Sequence, residues 1–353
     1  MNTAYKKIDQ LVPTNSLVAL VFSLALLSLA MRIESANADP YLAFKTGNTC
    51  SACHVNPIGG GARNSYGAYY GSQVLPANKG EASAFDLGKI SDSILFGGDL
   101  RFNLDKRDSD SEDGDSQSFN TQSGQIYLSV QPKNSRFSFY LDQQVSPGAA
   151  VSREAFVLAK LKGRHYLKLG KIMLPYGIRL EDDSAFIRQA SQINFDNSDN
   201  GVELGLEYAH LVVNFALSNG TSSSGNDDEN FQYTSRIETF HPNWRLGASA
   251  VLNDSEAGDR TMYNVFAGAN WLGFTFLAEL DRIEDSSSVN AFGSSTLQTA
   301  GLFEVNKELG PGINLKLTEE FLDPDDDIEH HIELEVTRLA GHSDGTVTAN
   351  DLG

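Results

Sequence analysis

From residue 91 onward the chain alternates. In 211–218, Leu211, Val213, Phe215 and Leu217 fall on one side of an extended backbone. In 272–281, Leu272, Phe274, Phe276, Ala278 and Leu280 alternate with Gly273, Thr275, Glu279 and Asp281. Ile313, Leu315 and Leu317 alternate with Asn314, Lys316 and Thr318; Ile332, Leu334 and Val336 alternate with Glu333, Glu335 and Thr337. Period two is the mark of a strand with two unlike faces. The pattern predicts fourteen strands, near 92–104, 119–131, 135–145, 152–161, 165–172, 201–208, 211–219, 230–240, 244–253, 260–270, 272–283, 296–308, 312–322 and 328–338. No stretch here is long and apolar enough for a spanning helix, which needs about 20 residues.

The connections sort by length. Every second one is short: 132–134, 162–164, 209–210, 241–243, Trp271 and 310–311. The others are mostly longer and acidic, as at 105–118, 174–200, 220–229 and 284–295. Short turns at one end and long loops at the other is the layout of an outer-membrane barrel. A water-soluble sandwich has no reason to segregate loop lengths. The fold expected is mainly β: an antiparallel transmembrane β-barrel of about 14–16 strands over 91–338. Its short turns face the periplasm, its long loops face outside, and its lumen is aqueous. The last residues, 346–353, make a poor strand without a terminal aromatic. So 339–353 is read as a tail or a truncated strand, with truncation favoured.

Upstream, Lys6 and Lys7 precede an apolar run from Leu17 to Ala30, and Ala36-Asn37-Ala38 is a small-residue cleavage site. Residues 1–38 therefore read as a secretory signal peptide; the alternative is an uncleaved anchor helix, for which the run is short. The chain carries 27 Lys and Arg against 46 Asp and Glu, a net charge of −19. That excludes a nucleic-acid binder and draws cations. Only two cysteines are present, so a disulfide-stapled fold is excluded and a zinc site lacks partners.

Both cysteines sit in a short head, 39–90, preceding the first strand. Cys50-Ser51-Ala52-Cys53-His54 is a C-x-x-C-H run, the attachment signature of one covalent haem c. Two thiols at this spacing can form thioethers to the two vinyl groups, and the adjacent histidine meets the iron as an axial ligand. The competing reading is a surface disulfide. Gly59-Gly60-Gly61 lets backbone approach a haem face, or makes a turn. Arg63 is a candidate partner for a propionate, or an ordinary surface arginine. The head is too small to bury a haem alone, so walls must come from the barrel. Candidates for a sixth ligand are Met173, His165, His210 and His241, with Lys45 and Met262 behind them. Each has a plain structural reading too, as a turn histidine or a packed methionine, and a five-coordinate iron is the further alternative.

Gly170-Lys171-Ile172-Met173-Leu174-Pro175-Tyr176-Gly177 resembles the G-[KR]-x-x-x-P-[YF]-G segment of the phosphate-selective porin family. The resemblance implies a strand leading into a loop at the pore constriction, lined by Arg179, Arg188, Glu181, Asp182 and Asp183; a solvated loop with a local charge pair is the other reading. Two acidic stretches, 105–115 and 323–331 with His330 and His331, are candidate loose cation sites or plain solvated loops. Signal peptide, single haem motif, short head and barrel together resemble the fused monohaem cytochrome–porins of the outer membrane. That resemblance implies electron transfer between an extracellular donor or acceptor, such as Fe(II) or a small redox molecule, and a periplasmic c-type cytochrome or other carrier. The residues Cys53-His54-Val55-Asn56-Pro57 depart from the aromatic-proline pattern of the iron-oxidising members. A passive porin with a structural or sensory haem is the competing class. A haem enzyme with its own substrate lacks any acid–base constellation.

Overall fold

The computed structural model describes residues 40–78, 88–107, 116–182, 184–221, 225–226, 228–256, 258–289, 295–324 and 328–338. The expected signal peptide, 1–38, and the terminal stretch 339–353 therefore lie outside the described residues. Fifteen strands form one sheet in strict sequence order, each antiparallel to the next. They are β1 (Lys89–Ser91), β2 (Ile94–Arg107), β3 (Ser116–Val130), β4 (Phe137–Ser146), β5 (Val151–Lys160), β6 (Tyr166–Ile172), β7 (Asp199–Glu207) and β8 (Leu211–Ser218), then β9 (Gln232–His241), β10 (Trp244–Asn253), β11 (Arg260–Trp271), β12 (Phe274–Val289), β13 (Ser295–Gly310), β14 (Ile313–Asp323) and β15 (Glu329–Arg338). All fourteen expected strands are present. The added one, β1, is three residues long and too short to show a period.

Two boundaries differ from the sequence reading. Trp271 ends β11, and the turn falls on Leu272 and Gly273, both at positive φ (51° and 75°). That is the two-residue hairpin turn whose twist matches its flanking strands. At the other end β12 runs to Val289 and its partner starts at Ser295, so the first half of the expected loop at 284–295 is strand, and 290–294 lie outside the described residues. Serine-rich composition carries no apolar alternation by which to read this end of the strand.

The faces are inside out. Phe215 is 50% exposed while its neighbour Asn214 is fully buried; Ile332 is 69% exposed while Glu335 is 6%. Apolar side chains point outward and polar ones inward, the arrangement of a barrel whose outer solvent is hydrocarbon. Inward charges pair: Lys168 with Glu203 at 2.5 Å and Arg188 with Glu279 at 2.6 Å.

The concave face is filled by two insertions. One is the head, with helix α1 (Tyr41–Thr46) and helix α2 (Ser65–Tyr69). The other is the connection from β6 to β7, residues 173–198, with helix α3 (Phe186–Ser191). Within this connection Glu181 reaches Arg101 on β2 at 3.1 Å, and Phe186 meets His331 on β15 edge-on at 6.5 Å. Residues five apart thus touch strands near both ends of the sheet, so the sheet curls around them.

Candidate functional site

The head is built on one helical turn. Cys50–Ala52 form a 3₁₀ turn; Cys53 N and His54 N both donate to Cys50 O, at 3.1 and 3.0 Å. Positions i, i+3 and i+4 therefore share one side, so Cys50, Cys53 and His54 face the same space. Asn64 holds this turn from beneath. Its side-chain NH₂ donates to Ser51 O and Ala52 O, its backbone N donates to Cys53 O, and its Oδ1 accepts from Gly67 N as the N-cap of α2. The sequence reading missed Asn64, although Asn before Ser-Tyr is a cap signal. Between Cys53 and Asn64 the chain makes a hairpin, closed by Val55 N to Ala62 O at 3.0 Å. Gly59, Gly60 and Gly61 turn it with φ of 95°, 74° and 57°. A Cβ on Gly61 would sit 2.0 Å from the Tyr140 hydroxyl of the wall, so these glycines serve both turn and close approach.

The head is pinned to the wall by polar contacts. Arg245 Nη2 donates to Ala43 O and Asn48 O, Asn270 Nδ2 donates to Phe44 O, Ser51 Oγ donates to Glu207, and Ala62 N donates to the Tyr140 hydroxyl. Asn56, fully buried, bonds Glu154 and accepts from Lys168 Nζ at 3.2 Å. Most of these wall residues lie near the short turns, so the head enters from that end.

Residues 173–198 meet the head from the other side. Met173 N donates to Glu154 Oε1 at 3.0 Å, Gly177 N to Ser249 Oγ at 3.0 Å, and Arg236 Nε to Gly177 O at 2.9 Å. Gly177 has φ 55°, and a Cβ there would sit 2.0 Å from Glu279 Oε1. The segment expected to fold toward a constriction does fold inward. Its charges, however, are engaged: Arg188 is fully buried on Glu279, Glu181 pairs with Arg101, and Asp182 Oδ1 accepts from Ser184. Arg188 is therefore an internal ion pair, not the lining of an open pore. Asp183 lies outside the described residues.

Between head and inward segment lies a cavity that opens to solvent. Cys50, Cys53 and His54 line it on one side; Met173 through Arg179 line it on the other; Arg236, Glu238 and Arg245 close the wall. The cysteines are not bonded to each other. Burial pushes both thiols up, so neither is the thiolate a reactive or zinc-binding cysteine needs. Burial, and then the charge of Arg63, lowers His54 to about 4, which keeps the imidazole neutral and able to bind a metal. Its Nδ1 is buried without a hydrogen-bond partner among the described residues. Uncharged sulfurs, a neutral imidazole and a mostly apolar lining fit a thioether-linked haem.

Of the sixth-ligand candidates, Met173 alone lines this cavity, and it is 1% exposed. His165 Nδ1 accepts from Glu207 N at 3.1 Å, and its ring meets Tyr208. His210 stacks on His241 at 4.9 Å, and His241 on Trp244 at 4.4 Å, at the short-turn rim. Met262 packs in the core, and Lys45 pairs with Glu308 at 2.6 Å. Arg63 is at the cavity mouth and exposed. Among the described residues no group of three or more His, Cys, Asp or Glu could hold a metal ion; much of both acidic loops lies outside them. His330 and His331 meet different rings, Phe321 and Phe186.

No protein-family model matches the chain, and no curated protein matches it by sequence. Solved structures do match. An anion-selective porin from Comamonas acidovorans superposes with a TM-score of 0.52 at 12% identity, over 69% of this chain and 82% of that one. A porin refined at 1.8 Å superposes with a TM-score of 0.52 at 13% identity, over 70% of this chain and 90% of that one. The fold is a porin-like barrel.

Proposed function

We propose that the chain is an outer-membrane electron-transfer protein. Cys50 and Cys53 would carry one covalent haem c in the cavity, and His54 and Met173 would hold its iron. The observation that supports this best is that the C-x-x-C-H turn faces a cavity whose far wall includes Met173. The outward apolar faces and the porin-like fold support a place in the outer membrane. When bound, the haem supplies one-electron chemistry. The residues do the rest. Neutral His54 offers a ring nitrogen, Met173 a thioether, and Phe44, Leu174 and Ile178 line the cavity with apolar surface that would exclude water. The acidic external loops concentrate a cationic donor such as Fe(II), each ion giving up one electron. A periplasmic c-type cytochrome or similar carrier takes the electron at the short-turn end, where the head enters.

The test has two parts. Purified outer-membrane protein should retain haem through denaturing gel electrophoresis, and Cys50→Ala with Cys53→Ala should abolish it. Proteoliposomes loaded with an oxidised c-type cytochrome should then reduce it when Fe(II) is added outside. Haem retained but no electron crossing favours the competing class, a porin with a structural or sensory haem. An unstained parent protein ends the haem reading altogether.

A further inference from the structure

Arg179 is the residue of the cavity with most unsatisfied hydrogen-bonding capacity. Its side chain is 8% exposed. Nη2 lies 2.7 Å from Glu154 Oε2, and the guanidinium stacks over Phe195 at 4.6 Å. Yet Nε and Nη1 are buried and have no acceptor among the described residues. Those two nitrogens carry three N–H bonds, and leaving buried donors without an acceptor costs their full desolvation penalty. The other buried arginines of the cavity are better served. Arg236 donates to Gly177 O and pairs with Glu238; Arg245 pairs with Glu238 and donates to two carbonyls.

We infer that Arg179 anchors a carboxylate in this cavity, and specifically a haem propionate. This rests on the haem reading above and assigns to the inward segment a role the head's exposed Arg63 was expected to fill. Gly60 makes it possible: a Cβ there would lie 2.8 Å from Arg179 Nε, so only glycine leaves the guanidinium room beside the haem-bearing hairpin. Arg179 is a positioning residue, since a planar donor fork fixes a carboxylate's direction where a lysine's point charge does not.

The experiment uses full-length protein in detergent, Arg179→Lys, and the charge-balanced pair Glu154→Gln with Arg179→Gln. Haem stain comes first: an unstained parent defeats the haem reading and this inference with it. On a stained parent, resonance Raman of the propionate bending mode and the reduction potential are measured. Both variants should shift that mode toward a water-bonded propionate and change the potential, while Arg63→Gln leaves the mode in place. A mode and potential identical to the parent's in either variant that retains covalent haem overturns the assignment. Should both variants lose their haem, Gly60→Ala, which crowds the guanidinium and the Phe195 ring beneath it, decides by the same two readings.

Discussion

Asn56 and Glu154 join parts of the chain 98 residues apart: the Asn56 side-chain NH₂ donates to both carboxylate oxygens of Glu154, at 3.0 and 2.8 Å. The same carboxylate accepts from Met173 N and from Arg179. One fully buried side chain on β5 therefore binds the head and the inward segment together. Glu154→Ala leaves Arg179 charged and unpaired and should cost roughly 3–5 kcal/mol, as breaking a buried pair does. Limited proteolysis should then cut within 40–78, and urea midpoints should fall; an uncut head with the parent midpoint refutes the hub.

Met173→Leu keeps volume and removes the sulfur. Haem should stay covalently bound, while the optical spectrum loses its methionine-ligated signature and the reduction potential drops, because methionine ligation raises it. Alanine at His165, His210 or His241 should leave the spectrum alone. A Met173→Leu protein with the parent's spectrum moves the sixth ligand elsewhere. Lys45→Ala serves as a control, because its pair with Glu308 is exposed enough to contribute no more than about 1 kcal/mol.

A Cβ on Gly67 would lie 2.0 Å from the Cys53 carbonyl oxygen, and a backbone atom cannot swing aside as a side chain can. Gly67→Ala should displace the Cys50–His54 turn and lower the yield of haem-bearing protein several-fold. Gly225→Ala, where a Cβ meets nothing within 4 Å, should not. Equal haem yields in the two would mean that α2 tolerates a shift the contacts forbid.

The head and the inward segment share the bore, so a passive channel is narrowed twice. Deleting 40–78 while keeping the leader should raise single-channel conductance in planar bilayers. Conductance equal to that of the full chain would show that the head leaves the ion path clear.

The sequence by itself determined the strands, the sense of their faces and the sorting of turns. Alternation in 211–218 or 332–337 is written residue by residue, because a strand's period is local and the pleat sends neighbours to opposite sides. The C-x-x-C-H turn was legible for the same reason: three positions on one helical turn need no distant partner. Which residues complete that site was not legible. Met173, His165, His210 and His241 were equal on the page, and only the curl of the sheet carries Met173 to the cavity while leaving the histidines at its rim. Arg179 and Arg188 looked alike as loop charges, yet one meets Glu154 beside the cavity and the other disappears against Glu279. Such pairings join residues tens of positions apart, and their energy comes from burial that exists only once the sheet has curled around its contents.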